Sequence, residues 1–492
     1  MKSTARLAFT LALAVFLCEQ TTSQTTSDQR KPGDLKFEPY TLQAGDQKVE
    51  GELGRLIVKE NRSNPQSRLI ELAFVRLKST AAQPGYPVVY LDGGPGSSAI
   101  NLARIPIYFQ VFLKLREVGD VILLDQRGVG RSRPNLARIS VESLPPDVFV
   151  SEEIALRIFK ERAKAAADYF RSQGVDLAAY NTAESANDVE DVRRALGAEK
   201  INLLGFSYGT HLGLATIRQH GAHLNRVALV GTEGPNHTRK LPASSQQSIE
   251  RLSKLIAQDP TVGSKVPDFA GMLKRVLDRL EKEPVTVSVT DNKKKQPVDV
   301  KVGKFGLQWL IVRDLGDTND LPHFPAFLHT IDRGDYSMLS RLVERRYNEY
   351  GSAMPIMTFV MDVSSGATRD RDAQIAREAK TALLGNVMNF LFPEIGDVFG
   401  NPDLGDQFRS PIRTDVPTLF ISGTLDNNTP SYQADEVRKQ FKQSAHIVVE
   451  NAGHESMLDK PQVRQAIVDF LLGKDVSRVK IAAPLLQFNP IP

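Results

Sequence analysis

The chain has 492 residues, 62 basic against 58 acidic, a formal net charge of +4 and 41% hydrophobic residues. So balanced a charge, with no basic face, argues against a nucleic-acid binder. The length exceeds what one hydrophobic core fills, since single cores stop growing near about 250–300 residues, so a main domain with a large insertion or a second domain is expected.

At the N-terminus, Lys2 and Arg6 precede an apolar run over 7–17. The run is too short to span a bilayer as a mature helix and suits an export signal. Cleavage near Ser23 is expected, which gives a signal peptide over 1–23 and a polar leader over 24–36. Cys18 is the only cysteine. It is either the lipid-bearing cysteine of a bacterial lipoprotein or a residue discarded with the signal. Leu17 stands where lipoprotein signals take a small residue, which favours discard. The expectation is an exported protein, periplasmic or extracellular, with no disulfide and no membrane span after signal removal.

Residues 51–58 and 68–77 are rich in branched and aromatic side chains and flank a turn cluster at 61–67, which predicts an antiparallel pair. "PVVYLDGGPG" (87–96) and "VGDVILLDQRGVGRS" (118–132) each run from an apolar strand into glycines. A helix is predicted over 181–196: Asn181 can cap it, Glu184 holds the capping-box position, and Val189, Val192 and Leu196 share a face. A strand over 201–204, "GFSYGT" (205–210), a helix to Gln219 and a strand over 226–231 follow. The alternation predicts a doubly wound, mostly parallel α/β sheet.

Residues 235–410 are mostly helical in period, with a hairpin at 285–302. The basic "NKKK" at 292–295 falls between its alternating strands and reads as a solvated loop. Strand and helix then resume: a strand ending at Asp426, a helix over 430–441, a strand over 445–450 and a helix over 461–472. The predicted organisation is a core over 37–234 and 412–492, interrupted by a mainly helical lid over 235–411.

Gly205-Phe206-Ser207-Tyr208-Gly209 matches G-x-S-x-G, with a buried strand before it and a helix after it. That setting is a nucleophile elbow. The turn lifts the serine oxygen clear of the sheet and places it at a helix N-terminus, where the dipole favours developing negative charge. A serine needs a base and an orienting acid. This architecture supplies them in the order Ser, Asp, His, at strand ends. Asp426 and His454 occupy those places. Either alone reads equally as a turn aspartate or a loop histidine; together and in order they read as a triad with Ser207. The second requirement is an oxyanion hole. Tyr208, the residue after the nucleophile, supplies one N–H, and the "DGGPG" loop (92–96) supplies the other, from Gly94 in the first instance and Gly93 in the second.

These motifs, with "DQRGVGRS" (125–132), "GTLDNNTP" (423–430) and "NAGHE" (451–455), resemble the proline iminopeptidase and tripeptidyl aminopeptidase family of α/β-hydrolases. The resemblance covers residues 40–235 and 412–475. The "SYGT" form and the long lid are closer to the tripeptidyl aminopeptidase branch. It implies an α/β-hydrolase fold, a Ser207–Asp426–His454 triad, oxyanion donors at Gly94 and Tyr208, and removal of residues from peptide N-termini under a lid that recognises the free amine. It also implies a structural role for Asp125 and Arg127. Two departures bear on substrate choice: the lid lacks the paired cysteines of many relatives, and Asp92 stands where a histidine or similar residue is usual.

An exopeptidase must hold an ammonium, which calls for carboxylates in low dielectric. Glu233, after the 226–231 strand, and Asp362, in the lid, are the candidates; each reads otherwise as a solvated acid. The expected reaction is two-step acyl transfer on peptides with a free N-terminus, releasing a single residue such as proline, or a tripeptide. No cofactor and no metal is called for, as no spacing such as H-E-x-x-H occurs. The rival reading is an esterase or amidase of small molecules on the same site. A non-catalytic binding protein is disfavoured by the complete triad.

Overall fold

Four short runs, VVYL, VILLD, INLLGF and TLFISG, are buried at every residue. Strands with no face for water must be covered on both sides, the setting of a parallel sheet. The computed structural model, which describes residues 30–491, places them in the middle of a ten-stranded sheet. The predicted signal peptide, Cys18 and the leader up to residue 29 lie outside the described residues.

In chain order the strands are β1 (Leu35–Ala44), β2 (Gln47–Lys59), β3 (Leu69–Leu77), β4 (Val88–Leu91), β5 (Val121–Asp125), β6 (Ile201–Phe206), β7 (Leu224–Val230), β8 (Thr418–Gly423), β9 (Ser444–Glu450) and β10 (Ile481–Ala482). Across the sheet the order is β1-β2-β3-β5-β4-β6-β7-β8-β9-β10. The first three strands and the β3–β5 pairing are antiparallel. All pairings from β5 to β10 are parallel. The mostly parallel sheet with helices on both faces is the expected α/β-hydrolase architecture.

Side chains alternate across each strand. Leu203 points into one apolar layer with Val189 and Leu212, from the helices Thr182–Ala195 and Tyr208–His220. Its neighbour Leu204 points into the other, with Tyr90, Phe109 and Ile467, under the helices Pro106–Leu115 and Pro461–Leu471. Residues 235–411 form helices and the hairpin Val285–Asp291/Gln296–Val302 over the ends of the parallel strands. Their apolar spacing explains the packing: Phe269, Met272, Leu273, Val276, Leu277 and Leu280 make one buried stripe on the helix Phe269–Lys282.

Several expectations shift. The polar leader ends sooner, because Leu35 and Lys36 pair with Leu56 and Arg55 as the start of β1. This edge strand is mostly exposed, so it carries no apolar signal. Residues 139–172 fall within the predicted core but pack on the lid. Ile139–Ser140 pairs with Ala353–Met354, and the helix Glu152–Ser172 sets Phe159 edge-on to Trp309, ring centroids 5.7 Å apart. The C-terminal tail also reaches the lid, where Asn489 N–H donates to Pro322 O at 3.0 Å. At the 181–196 helix, Asn181 caps the Glu184 N–H at 2.9 Å. The Glu184 carboxylate does not complete the capping box; it pairs with Arg62 instead.

Candidate active site

Ser207 links β6 to the helix Tyr208–His220, with φ 53° and ψ −126°. A serine in this region is strained, and it persists only where its surroundings over-determine it. Here they do. Ser207 N–H donates to Val230 O on β7 at 2.9 Å. Two residues on, a Cβ at Gly209 would overlap Leu91 O of β4, so only glycine lets the helix start so close to the sheet.

His454 lies just past β9 and Asp426 just past β8, on adjacent parallel strands. His454 Nε2 is 2.9 Å from Ser207 Oγ, and His454 Nδ1 is 2.9 Å from Asp426 Oδ2. The carboxylate can only accept, so Nδ1 carries the hydrogen and Nε2 is left to accept from the serine hydroxyl. Asp426 is fixed by Thr429 Oγ1 (2.6 Å) and by the N–H groups of Thr429 (2.9 Å) and Asn428 (2.8 Å). Burial alone would raise the Asp426 pKa, but the His454 imidazole and the Thr429 donors outweigh it and hold the carboxyl below its ordinary value. Burial would likewise lower the His454 pKa, and the Asp426 charge and hydrogen bond reverse that and raise it.

The glycine loop after β4 sits against the serine. A Cβ on Gly93 would lie 2.9 Å from Ser207 Cβ. The Gly93 N–H is taken by Asp92 Oδ1 at 2.8 Å, whereas the Gly94 N–H has no hydrogen-bond acceptor among the described residues. Gly94 lines the same cavity as Ser207 and His454. Tyr208 opens the elbow helix, where an N–H has no partner in the helix ladder. Asp92 is buried, accepts from Tyr90 OH at 3.0 Å, and is pushed up to about 6, chiefly by burial.

Asp125 and Arg127 stand apart from the cavity. Arg127 is fully buried and grips Asp188 with two bonds of 2.7 Å while donating to Glu60 O and Ala179 O. Asp125 accepts from Ser98 Oγ (2.7 Å) and from the N–H groups of Ile100 (3.2 Å) and Arg131 (2.8 Å).

The cavity over Ser207 holds about 460 Å³. Trp309, Phe390 and Phe392 form its apolar wall, and Arg313 and Arg345 line it from the lid. Glu233 and Asp362 both reach it. Glu233 is already paired with Lys240. Burial pushes Glu233 up, and Lys240 with His211 overrides that and keeps it ionised. Asp362 has no side-chain hydrogen-bond donor among the described residues; burial, and then the Glu233 charge, raise it well above the carboxylate range. Sequence reasoning missed Lys240, which lies in the loop before the helix Pro242–Gln258, seven residues past Glu233, with no motif around it. Among the described residues, Glu190, His220 and His223 bring ligand atoms within 4.8 Å of one another, as a cation site would. Both Glu190 oxygens are held there by the Arg193 guanidinium, at 2.6 and 2.8 Å.

Comparison with known proteins agrees with this geometry. Residues 86–287 match a family model described as alpha/beta hydrolase fold, and residues 403–478 match one described as TAP-like protein. The chain is 29% identical over 192 residues to serine protease Hip1 of Mycobacterium tuberculosis, covering 37% of this chain and 36% of that protein. It is 29% identical over 205 residues to tripeptidyl aminopeptidase of Streptomyces coelicolor, covering 39% and 34%. The matches thus span about a third of the length of these curated relatives.

Proposed function

We propose that the chain, which has the α/β-hydrolase fold, is a serine exopeptidase releasing a single residue or a tripeptide from peptides with a free N-terminus. The observation that carries the reading is one cavity holding both the Ser207–His454 pair, 2.9 Å apart, and two acids, Glu233 and Asp362.

In this reading Ser207 Oγ attacks the substrate carbonyl as His454 Nε2 takes its proton. Asp426 holds the imidazole in the tautomer described above and stabilises its charged form. The N–H groups of Gly94 and Tyr208 bind the oxyanion. His454 returns the proton to the leaving amine, and water then hydrolyses the acyl-enzyme by the same route. Asp362 receives the substrate ammonium. Burial and the Glu233 charge disfavour its ionised form, and a substrate ammonium beside it would favour that form. Glu233 contributes through its field, its direct partner being Lys240. The TAP-like match and the tripeptidyl aminopeptidase relative support a peptide substrate. Export rests on the N-terminal signal read from the sequence; no described helix is long and apolar enough to cross a membrane.

A second reading, an esterase or amidase of small neutral molecules, is favoured by one observation: Lys240 cancels the Glu233 charge, which leaves the cavity a weaker cation trap. A panel of chromogenic substrates decides. Free-amine proline, alanine and tripeptide amides, their N-blocked versions and a simple acyl ester are compared for the mature protein and Ser207→Ala. Turnover of the free-amine amides alone, lost in Ser207→Ala, supports the exopeptidase. Ester turnover without amide turnover moves the protein to the second reading.

A further inference from the structure

The lid touches the catalytic loops at two points outside every motif. On the histidine side, the segment after the helix Lys304–Val312 crosses the loops that carry the triad. Gly316 O accepts the His454 N–H at 2.9 Å. Gly316 has no room for a side chain, since a Cβ would lie 2.9 Å from Asn427 N and 3.1 Å from Asn427 Cβ, beside Asp426. Asp314 ties this segment back into the lid. Its carboxylate pairs with Arg345 at 2.6 Å and with Arg346, both on the helix Ser337–Ser352.

On the oxyanion side, Thr358 Oγ1 donates to Pro95 O at 2.7 Å, one residue past Gly94. Thr358 belongs to the lid helix Ile356–Ser365. At its far end, Ser365 Oγ is 3.1 Å from Thr182 Oγ1, which is 3.0 Å from Tyr208 OH. One lid helix therefore braces both residues assigned as oxyanion donors, while a second lid segment braces the base.

We propose that Gly316 and Thr358 are positioning residues for acyl transfer, so that the lid is needed for turnover of any acyl substrate and not only for the choice among substrates. The physical ground is the poor anchoring of the parts they hold. His454 and Gly94 sit on loops beyond the last ladder bonds of β9 and β4, and a displacement of about 1 Å at such a group costs roughly 100-fold in rate. The proposal rests on the serine-hydrolase part of the reading above and not on the exopeptidase part.

The test uses the full mature chain, a p-nitrophenyl acyl ester and a fluorophosphonate that labels Ser207. Thr358→Val is expected to lower kcat on the ester about tenfold with KM little changed, as part of an oxyanion contribution, and Thr358→Ser to restore it. Gly316→Ala is expected to lower kcat and the labelling rate together by roughly 100-fold, with unchanged circular dichroism. Wild-type kcat in Thr358→Val, a Thr358→Ser no faster than Thr358→Val, or a loss confined to KM would overturn the proposal. Should Gly316→Ala not fold, the Thr358 pair decides alone. Failure of the exopeptidase reading would show in the wild-type substrate choice, whereas failure of this proposal shows only in variant-to-wild-type ratios on the ester.

Discussion

Core and lid hold their parts of the site by different means. In the core, Ser207, Asp426 and His454 each follow a parallel strand, and backbone ladders among β6, β7, β8 and β9 bring their strand ends together, with the His454 loop held further by Gly316 O. In the lid and at its rim, Asp362, Lys240 and Asp314 are placed by helix packing and by side-chain ion pairs. A ladder of main-chain bonds tolerates almost any side chain, so the proposed reaction machinery rests on a few fixed residues at strand ends. An ion pair depends on the two residues that make it, so a substrate site built from such pairs can be rewritten by single substitutions. The comparison predicts that core substitutions destroy rate, while lid acids change affinity and pH dependence.

Ser207→Ala should sharpen it most, with a fall in kcat of roughly 10⁶-fold and little change in substrate binding, measured by single-turnover kinetics. Asp426→Asn should keep the fold and lose roughly 10⁴-fold in kcat, because the wrong imidazole tautomer is then favoured. Asp362→Asn, a lid change, should raise KM for free-amine peptides by roughly 10- to 100-fold, the worth of a charged hydrogen bond, and leave N-blocked esters unaffected. An equal loss of kcat on both substrate types would break the division between core and lid.

The pH dependence separates the same two regions. His454 must be neutral to accept the Ser207 proton, and its pKa is raised, so kcat should climb with pH through a value above that of a free imidazole and be lost in acid. Asp362 must be ionised to hold an ammonium, and its pKa is raised as well, so KM for free-amine substrates should fall as pH rises, while KM for the ester stays flat. The smallest expected effect on chemistry comes from Arg127→Met. It leaves Asp188 buried with Arg62 as its remaining partner, and should cost about 3 kcal/mol of stability, read from the denaturation midpoint, with kcat nearly intact.

The same contrast explains what the sequence disclosed. The strands were legible because VILLD and INLLGF are continuous apolar runs, and the elbow because its glycines are dictated by close backbone approach. That Asp426 and His454 would meet beside Ser207 is legible because topology fixes their order. β1 is hidden by its exposed, polar face, and residues 152–172 fall within the predicted core because the amphipathic face of their helix does not say which apolar surface it meets. Lys240, Gly316 and Thr358 carry no pattern at all. Their contacts join residues up to 263 positions apart, and only the folded chain brings them together.

Recognition of the free N-terminus is tested most directly by comparing one tripeptide p-nitroanilide with its N-acetylated twin, on wild type and on Asp362→Asn. Wild type is expected to cleave the free-amine form with a kcat/KM roughly 100-fold higher, and the ratio to collapse toward one in Asp362→Asn. Equal cleavage of both forms by wild type would contradict recognition of the free N-terminus.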